Sequence, residues 1–245
     1  MPTHSSSNVQ TQDRTDFSAV RELWANERSL PNYNLDVVSK LSRHLAGSSE
    51  VLEFGAGIGA LGRLWLSKTG VRPDCVEIDE RLRQVIVERG FRCYASLDAV
   101  AKAYDGIYTS NVLEHIEDDV SILKKLHKVL KPGGTLAIYV PAFMCLYSHL
   151  DTAVGHYRRY GRKELVSKLE QANFTIVQSR YVDSIGFLAW LALKIRGPRK
   201  GGDDHLDRNL HVYDRYGYPV SAFLDELAFK HLFGKNLLVV ARRPR

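Results

Sequence analysis

Apolar residues follow two rhythms along this chain, and the places where the rhythm changes mark its elements. Phe17–Leu30 carries helical spacing through Val20, Leu23 and Trp24, and Pro31 is expected to close it. A second helix is read over Leu35–Leu45, ended by Gly47. From Val51 onward short apolar strands alternate with amphipathic helices. The predicted strands are Val51–Phe54, Asp74–Ile78, Phe91–Tyr94, Tyr104–Thr109, Thr135–Val140, Phe174–Tyr181 and Asn236–Ala241. The predicted helices between them are Ala60–Lys68, Arg81–Arg89, Ser121–Leu130, Arg162–Gln171 and Ser221–Leu232. Lys131-Pro132-Gly133-Gly134 reads as a sharp turn into the fifth strand. Such alternation implies a parallel sheet covered by helices on both faces. Residues 1–16, polar throughout, read as a mobile tail, and the segment 184–219 interrupts the rhythm as an insert.

The change of rhythm at Val51-Leu52-Glu53-Phe54-Gly55-Ala56-Gly57-Ile58-Gly59 organises the rest. Glycines at a strand-to-helix turn let a ligand approach the backbone, where the new helix offers free N–H groups. Gly55-x-Gly57-x-x-Ala60 fits a dinucleotide fingerprint, and Glu77 stands about twenty residues on, where a ribose-binding acid belongs. Glu53 argues against a dinucleotide. A carboxylate there would repel a pyrophosphate, whereas it suits the ammonium and sulfonium of S-adenosylmethionine. Here the chain resembles the class I S-adenosylmethionine-dependent methyltransferases, whose first motif reads like Glu53–Gly59.

That resemblance covers residues 33 to 242, weakly between 184 and 219. It implies a Rossmann-like, doubly wound α/β sheet of seven strands, mostly parallel, with the last strand antiparallel. Residues 17–245 would form one domain, capped by the N-terminal helices and the insert. The reaction it implies is an in-line displacement in which an acceptor heteroatom takes the sulfonium methyl. Cofactor contacts are expected from Glu53, Gly55, Ala56, Gly57, Gly59, Glu77, Ile78, Ser96, Leu97, Asp98 and Asn111. Of these, Glu77 can accept from ribose hydroxyls and Ile78 can cover the adenine. Asp98 either accepts from the adenine amino group or caps a helix, and Asp79 reads as a cap for the helix that follows it. The Tyr33-Asn34 pair resembles an entry segment that covers the cofactor in small-molecule methyltransferases; Asn34 could equally cap the second helix.

Ser110-Asn111-Val112-Leu113-Glu114-His115-Ile116 resembles the segment after the fourth strand of ubiquinone-type O-methyltransferases. In some relatives an acid at the Asn111 position helps hold a divalent metal, so no metal is expected here. An Asn-Pro-Pro-Tyr-like segment, the mark of many methyltransferases acting on amide or exocyclic nitrogens, is missing, and a hydroxyl oxygen is the expected acceptor atom. His115, His149 and His156 are the candidate bases, an imidazole being suited to take a proton near neutral pH. Gly155-His156-Tyr157-Arg158-Arg159-Tyr160 resembles a stretch found in a bacterial subgroup of the family. Its arginines could grip a carboxylate or phosphate through forked hydrogen bonds, so the expected acceptor is a small or lipid-linked anionic molecule, bound by Arg158, Arg159, Tyr160 and Tyr33.

Composition narrows this further. Net charge is +6, concentrated in His156–Lys163, Arg196–Lys200 and Arg242–Arg245. That balance permits nucleic acid, yet aromatic and basic residues interleave only at Tyr157–Tyr160, which speaks against a nucleic-acid substrate. Cys75, Cys93 and Cys145 are odd in number and lack metal-ligand spacing, as expected in a reducing, cytoplasmic setting. The apolar run Ile185–Ile195 is too short to span a bilayer. It suits a lid, a homodimer contact, or an interfacial helix with a basic edge.

Overall fold

A computed structural model describes residues 23–196, 210–227 and 231–245. The expected tail over 1–16 lies outside the described residues. A helix over 23–29 (α1) leads into α2 (Pro31–Ser42), which begins four residues before its predicted start. Pro31 opens this helix instead of closing the one before it, because the first turn needs no N–H from that position. The free amides of that turn are satisfied from far away in sequence. Asp214 accepts from Asn32 N at 3.0 Å and from Tyr33 N at 2.8 Å. Asn34 lies inside the helix and is not its cap; its side chain donates to Asn26 O at 3.1 Å, tying α2 to α1.

The strands are β1 (Val51–Phe54), β2 (Asp74–Val76), β3 (Cys93–Tyr94), β4 (Tyr104–Ser110), β5 (Leu130–Pro141), β6 (Thr175–Val182) and β7 (Asn236–Arg242). They form one sheet in the order β3-β2-β1-β4-β5-β7-β6. β7 runs antiparallel to both neighbours, and the remaining pairings are parallel. The expected seven-stranded, mostly parallel Rossmann-like sheet is therefore present. Helices α3 (Ala60–Thr69), α4 (Glu80–Glu88), α5 (Asp119–Val129) and α7 (Arg162–Gln171) cover it. A short helix α6 (His149–Ala153) follows β5, and α8 (Ser184–Arg196) and α9 (Tyr218–Leu227) stand between β6 and β7.

Burial on both faces explains the continuous apolar character of the central strands. On one face Leu123 and Leu126 of α5 and Leu165 and Leu169 of α7 pack on Ile107, Leu136, Ile138 and Val239. On the other, Val38 and Leu41 of α2 join Trp65 of α3, whose ring stacks on Tyr108 with centroids 4.2 Å apart.

The expected sharp turn at Lys131–Gly134 is not a free turn. Leu130 already pairs with Tyr104, and the register shifts between Tyr104 and Gly106. Gly133 takes φ +78° inside this irregular start of β5 and donates to Arg243 O at 2.9 Å. The Arg243 guanidinium in turn donates to His127 O at 2.9 Å and Lys128 O at 3.2 Å, closing the C-terminal end of α5.

Candidate active site

All parallel strands point their carboxyl ends to one edge, and the candidate residues follow those ends. After β1 the chain turns through Gly55, Gly57 and Gly59 at φ +75°, +55° and +73°, a region glycine enters without a Cβ penalty. The first two are constrained by protein as well as by φ. A Cβ at Gly55 would meet Val112 Cγ2 at 2.3 Å, and one at Gly57 would stand 3.2 Å from Leu23 of α1. Gly55 N and Ala56 N both donate to Val76 O, at 2.9 and 3.1 Å, which fixes the loop against the end of β2.

Glu77, just past β2, braces this loop. Its carboxylate accepts from Gly57 N at 2.8 Å and from Asp79 N at 3.0 Å, and burial pushes its pKa up. Each oxygen keeps a further acceptor site for a ribose hydroxyl. Ile78 beside it is 86% exposed, an unusual place for a large apolar side chain unless a flat apolar group covers it. Asp79 caps α4 by accepting from Arg81 N at 2.8 Å, as expected. These features fit an adenosine: a glycine turn in left-handed backbone, a buried carboxylate bracing it with acceptor capacity to spare, and an exposed apolar side chain beside it.

Four other expected cofactor contacts are placed differently. Glu53 is buried with its carboxylate 2.8 Å from the Cβ position of Gly62 and 3.9 Å from Cys75 Sγ, under the loop and toward α3. Burial there, reinforced by Glu77, raises its pKa to about 8. The side chain is thus neutral at pH 7, and the electrostatic argument built on its charge loses force in the free protein. Leu97 belongs to the core. Asp98 is exposed and pairs with Lys125 Nζ at 2.5 Å, so its side chain serves α5. Ser96, exposed, precedes a short 3₁₀ turn without capping it through its side chain.

A stability measurement tests the Glu53 placement. In the unfolded chain its proton leaves near pH 4.5, in the folded chain near 8. Between these values the unfolded state binds fewer protons, so stability falls as pH rises from about 4.5 to about 8 and then levels. Glu53→Gln should remove part of this decline and exceed wild type at pH 8 by on the order of 1 kcal/mol or more, measured by urea denaturation. Glu114, raised in the same way, keeps the remainder.

The second half of the edge lies beyond β4 and β5. Asn111, the residue after β4, takes φ +53°, a left-handed position uncommon for a residue with a side chain, and donates its N–H to Tyr139 O at 2.8 Å. Tyr33 lies edge-on to Tyr139, ring centroids 6.2 Å apart. Glu114 follows, fully buried, with neither carboxylate oxygen hydrogen-bonded. Its burial raises the pKa to about 8, against the pull of the Arg159 charge. His115 sets its ring edge-on to His156 at 4.6 Å between centroids. Desolvation, then the neighbouring His156, lowers the His115 pKa to about 4, which leaves a neutral but weakly basic imidazole.

His156 is the best held of the three histidines. Its Nδ1 lies 2.9 Å from Asp151 Oδ1 and its Nε2 3.9 Å from Glu114 Oε1. Burial alone would raise the Asp151 carboxyl, but His156 and Arg159 outweigh it and hold its pKa at about 2. A carboxylate at Nδ1 favours a proton on that nitrogen, so that in the neutral ring Nε2 is the acceptor. Asp151 is itself immobilised: it accepts Arg159 Nε at 2.7 Å and Ser148 N at 2.9 Å, completing a capping box at α6. His149 is separate, an exposed residue on the first turn of α6.

Arg158, Arg159 and Tyr160, expected to grip the acceptor, are turned inward. Arg158 donates to Glu117 O at 2.8 Å and Asp119 Oδ2 at 3.2 Å. Tyr160 is fully buried, its hydroxyl between Leu113 O at 3.0 Å and Asp119 Oδ2 at 2.7 Å. Arg159 is 2% exposed, bound to Asp151 and lying over the Trp190 ring at 5.1 Å. The loop after β5 needed internal partners for its own charges, and the stretch is chiefly a scaffold for His156. Asp119 gathers Arg158, Tyr160 and Lys168, and an Asp-Asp pair opening α5 is its only trace in the sequence.

Among the described residues, Glu114, His115 and His156 form a group whose ligand atoms lie within 4.8 Å of one another, a donor set of the kind that holds a divalent metal. No described helix is long and apolar enough to cross a membrane.

Residues 25–179 match the family model of a methyltransferase domain. The phosphoethanolamine N-methyltransferase 1 of Zea mays is 29% identical over 113 residues, which cover 42% of this chain and 22% of that protein. A ubiquinone biosynthesis O-methyltransferase of Xanthomonas campestris is 25% identical over 153 residues, 55% of this chain and 63% of that one. The match therefore spans less than two thirds of either relative. In fold, the chain is similar to the 1,6-didemethyltoxoflavin-N1-methyltransferase of Burkholderia thailandensis, solved with S-adenosylhomocysteine, at a TM-score of 0.57 and 22% identity, over 100% of this chain and 93% of that one.

Proposed function

This chain belongs to the class I S-adenosyl-L-methionine-dependent methyltransferases, and we propose that it methylates a hydroxyl oxygen of a small molecule, with His156 as the base. The observation that carries this reading is the Asp151–His156 contact of 2.9 Å at the carboxyl edge of the sheet, a carboxylate-oriented imidazole.

When bound, S-adenosyl-L-methionine supplies a methyl group already activated on a sulfonium. Glu77 would accept from the ribose hydroxyls while it continues to brace Gly57, and Ile78 would cover the adenine. Asn111, positioned by the end of β4, lies between the two halves of the edge. The chain's own work on the acceptor is then orientation and removal of one proton. His156 Nε2 would take the hydroxyl proton, and Asp151 would hold the resulting imidazolium. Glu114, neutral at pH 7 through burial, would not compete for that proton.

With Arg158 bound to Glu117 O and Asp119, and Arg159 bound through Nε to Asp151, the support for an anionic acceptor is weaker, and a neutral hydroxylated one suits the site better. The relatives named above include an N- and an O-methyltransferase by name, so the acceptor atom needs a direct test. Release of S-adenosylhomocysteine should be measured with a panel of phenols, alcohols and matched amines. The hydroxyl compounds should turn over and should depend on His156. Turnover of amines alone, unaffected by His156→Ala, would overturn the proposal.

A further inference from the structure

We propose that α8 and α9 form a face that docks this protein onto an anionic lipid bilayer. The first observation is that α9 is built inside out. Each of its three buried positions uses a polar atom: Asp225 accepts from Ser184 N at 3.0 Å, Ser221 Oγ accepts from Ile185 N at 3.0 Å, and the Tyr218 hydroxyl donates to Asp36 at 2.5 Å. Asp214, in the π-helical turn Tyr213–Gly217 just before it, caps α2. The solvent side instead carries Val220, Phe223 and Leu227 at helical spacing, with Phe223 65% and Leu227 66% exposed, and Tyr216 of the preceding turn is exposed as well. Normal amphipathic logic places such a stripe against protein. Here that side of the helix faces outward.

The neighbouring helix adds to the same kind of surface. α8 packs beside α9 and exposes Leu188, Leu193 and Ile195. Exposed apolar side chains gathered on two packed helices are the kind of feature that marks an interaction site.

Charge selects the occupant. On the described residues of these helices and the turn before α9 the exposed cations are Lys194, Arg196 and Arg215. The described acids do not balance them. Asp214 and Asp225 are buried, and the exposed Glu226 is held by Arg180 at 2.6 Å. Apolar side chains flanked by cations, with Arg215 over the ring of exposed Tyr216 at 5.5 Å, are what an interfacial helix presents to anionic headgroups and acyl chains. The face is mechanically tied to the candidate active site. Trp190 of α8 lies under Arg159, and Lys194 donates to Cys145 O at 2.7 Å in the loop after β5. A bilayer on this face would therefore lie beside the acceptor side of the enzyme. The inference stands independently of which acceptor atom is methylated.

The test is co-sedimentation of the full chain with vesicles of phosphatidylcholine, with and without phosphatidylglycerol. Binding is expected only to the anionic vesicles, and added salt should weaken it. Phe223→Ser with Leu227→Ser, both at exposed sites, should reduce partitioning at least about tenfold. Arg196→Gln should reduce it about fivefold. S-adenosylhomocysteine affinity, measured in parallel, should be unchanged in each variant, showing that the fold survives. No binding to anionic vesicles, or equal binding by the serine variant, overturns the proposal. So does a wild-type dimer in analytical ultracentrifugation that the serine variant converts to monomer, because the face would then belong to a second copy.

Discussion

Replacing His156 with alanine should lower methyl transfer by about 10²–10⁴-fold, the usual contribution of a positioned general base, and leave cofactor affinity nearly unchanged. The reasoning is geometric. Among the described residues, His156 alone of the three candidate histidines has a carboxylate at hydrogen-bond distance, 2.9 Å from Asp151. His115 is made a poor base by desolvation, with a pKa lowered to about 4. His149 is an exposed residue on the first turn of α6, with no such carboxylate beside it. The expected readout is a loss in kcat with little change in S-adenosylhomocysteine binding. His115→Ala is the control: it should cost much less, because its ring contributes contact with His156 more than basicity. Equal losses in the two variants would mean that the pair acts as a unit, and His156 could not be singled out.

The second large effect is on stability. Asp119→Ala should destabilise the fold by about 3 kcal/mol, the low end of the range for breaking a buried charged network. One carboxylate oxygen accepts from Tyr160 OH at 2.7 Å, Lys168 Nζ at 2.7 Å and Arg158 Nη1 at 3.2 Å. Lys168 and Arg158 keep partial access to water, at 17% and 22% side-chain exposure, which is why the upper end of the range does not apply. Asp119→Asn keeps an acceptor for Tyr160 and should lose less. Urea denaturation measures both, and a loss below about 0.5 kcal/mol for alanine would show that the three partners find water or one another instead.

These two residues show what the sequence makes legible and what it hides. The sheet was readable because each strand and helix writes its period locally, and the glycine turn with Glu77 is a local signature of cofactor binding. Arg162–Gln171 is a helix with the predicted limits, because its ends are set by neighbours in the chain. Failures occur where a partner lies far away. Asp214 caps α2 from more than 180 residues on, so Pro31 was read as a stop. Arg158 and Tyr160 looked like ligand-binding groups because paired arginines and tyrosines in a short loop suggest recognition. Their partner Asp119 belongs to another element, and no spacing rule connects them. The same holds for α9: composition reveals an amphipathic helix, but only the packed structure reveals that its polar side faces in.

The account divides the carboxyl edge into a cofactor half at Glu77 and an acceptor half at His156, and calorimetric titration with S-adenosylhomocysteine tests that division most directly. Wild type, Glu77→Ala and His156→Ala should be compared in one series. The prediction is that His156→Ala binds within about twofold of wild type, while Glu77→Ala loses roughly 1.5–3 kcal/mol, the value of a hydrogen bond to a charged group. If His156→Ala loses affinity as Glu77→Ala does, or if Glu77→Ala binds as wild type does, the two halves are not separate and the assignment of roles is contradicted.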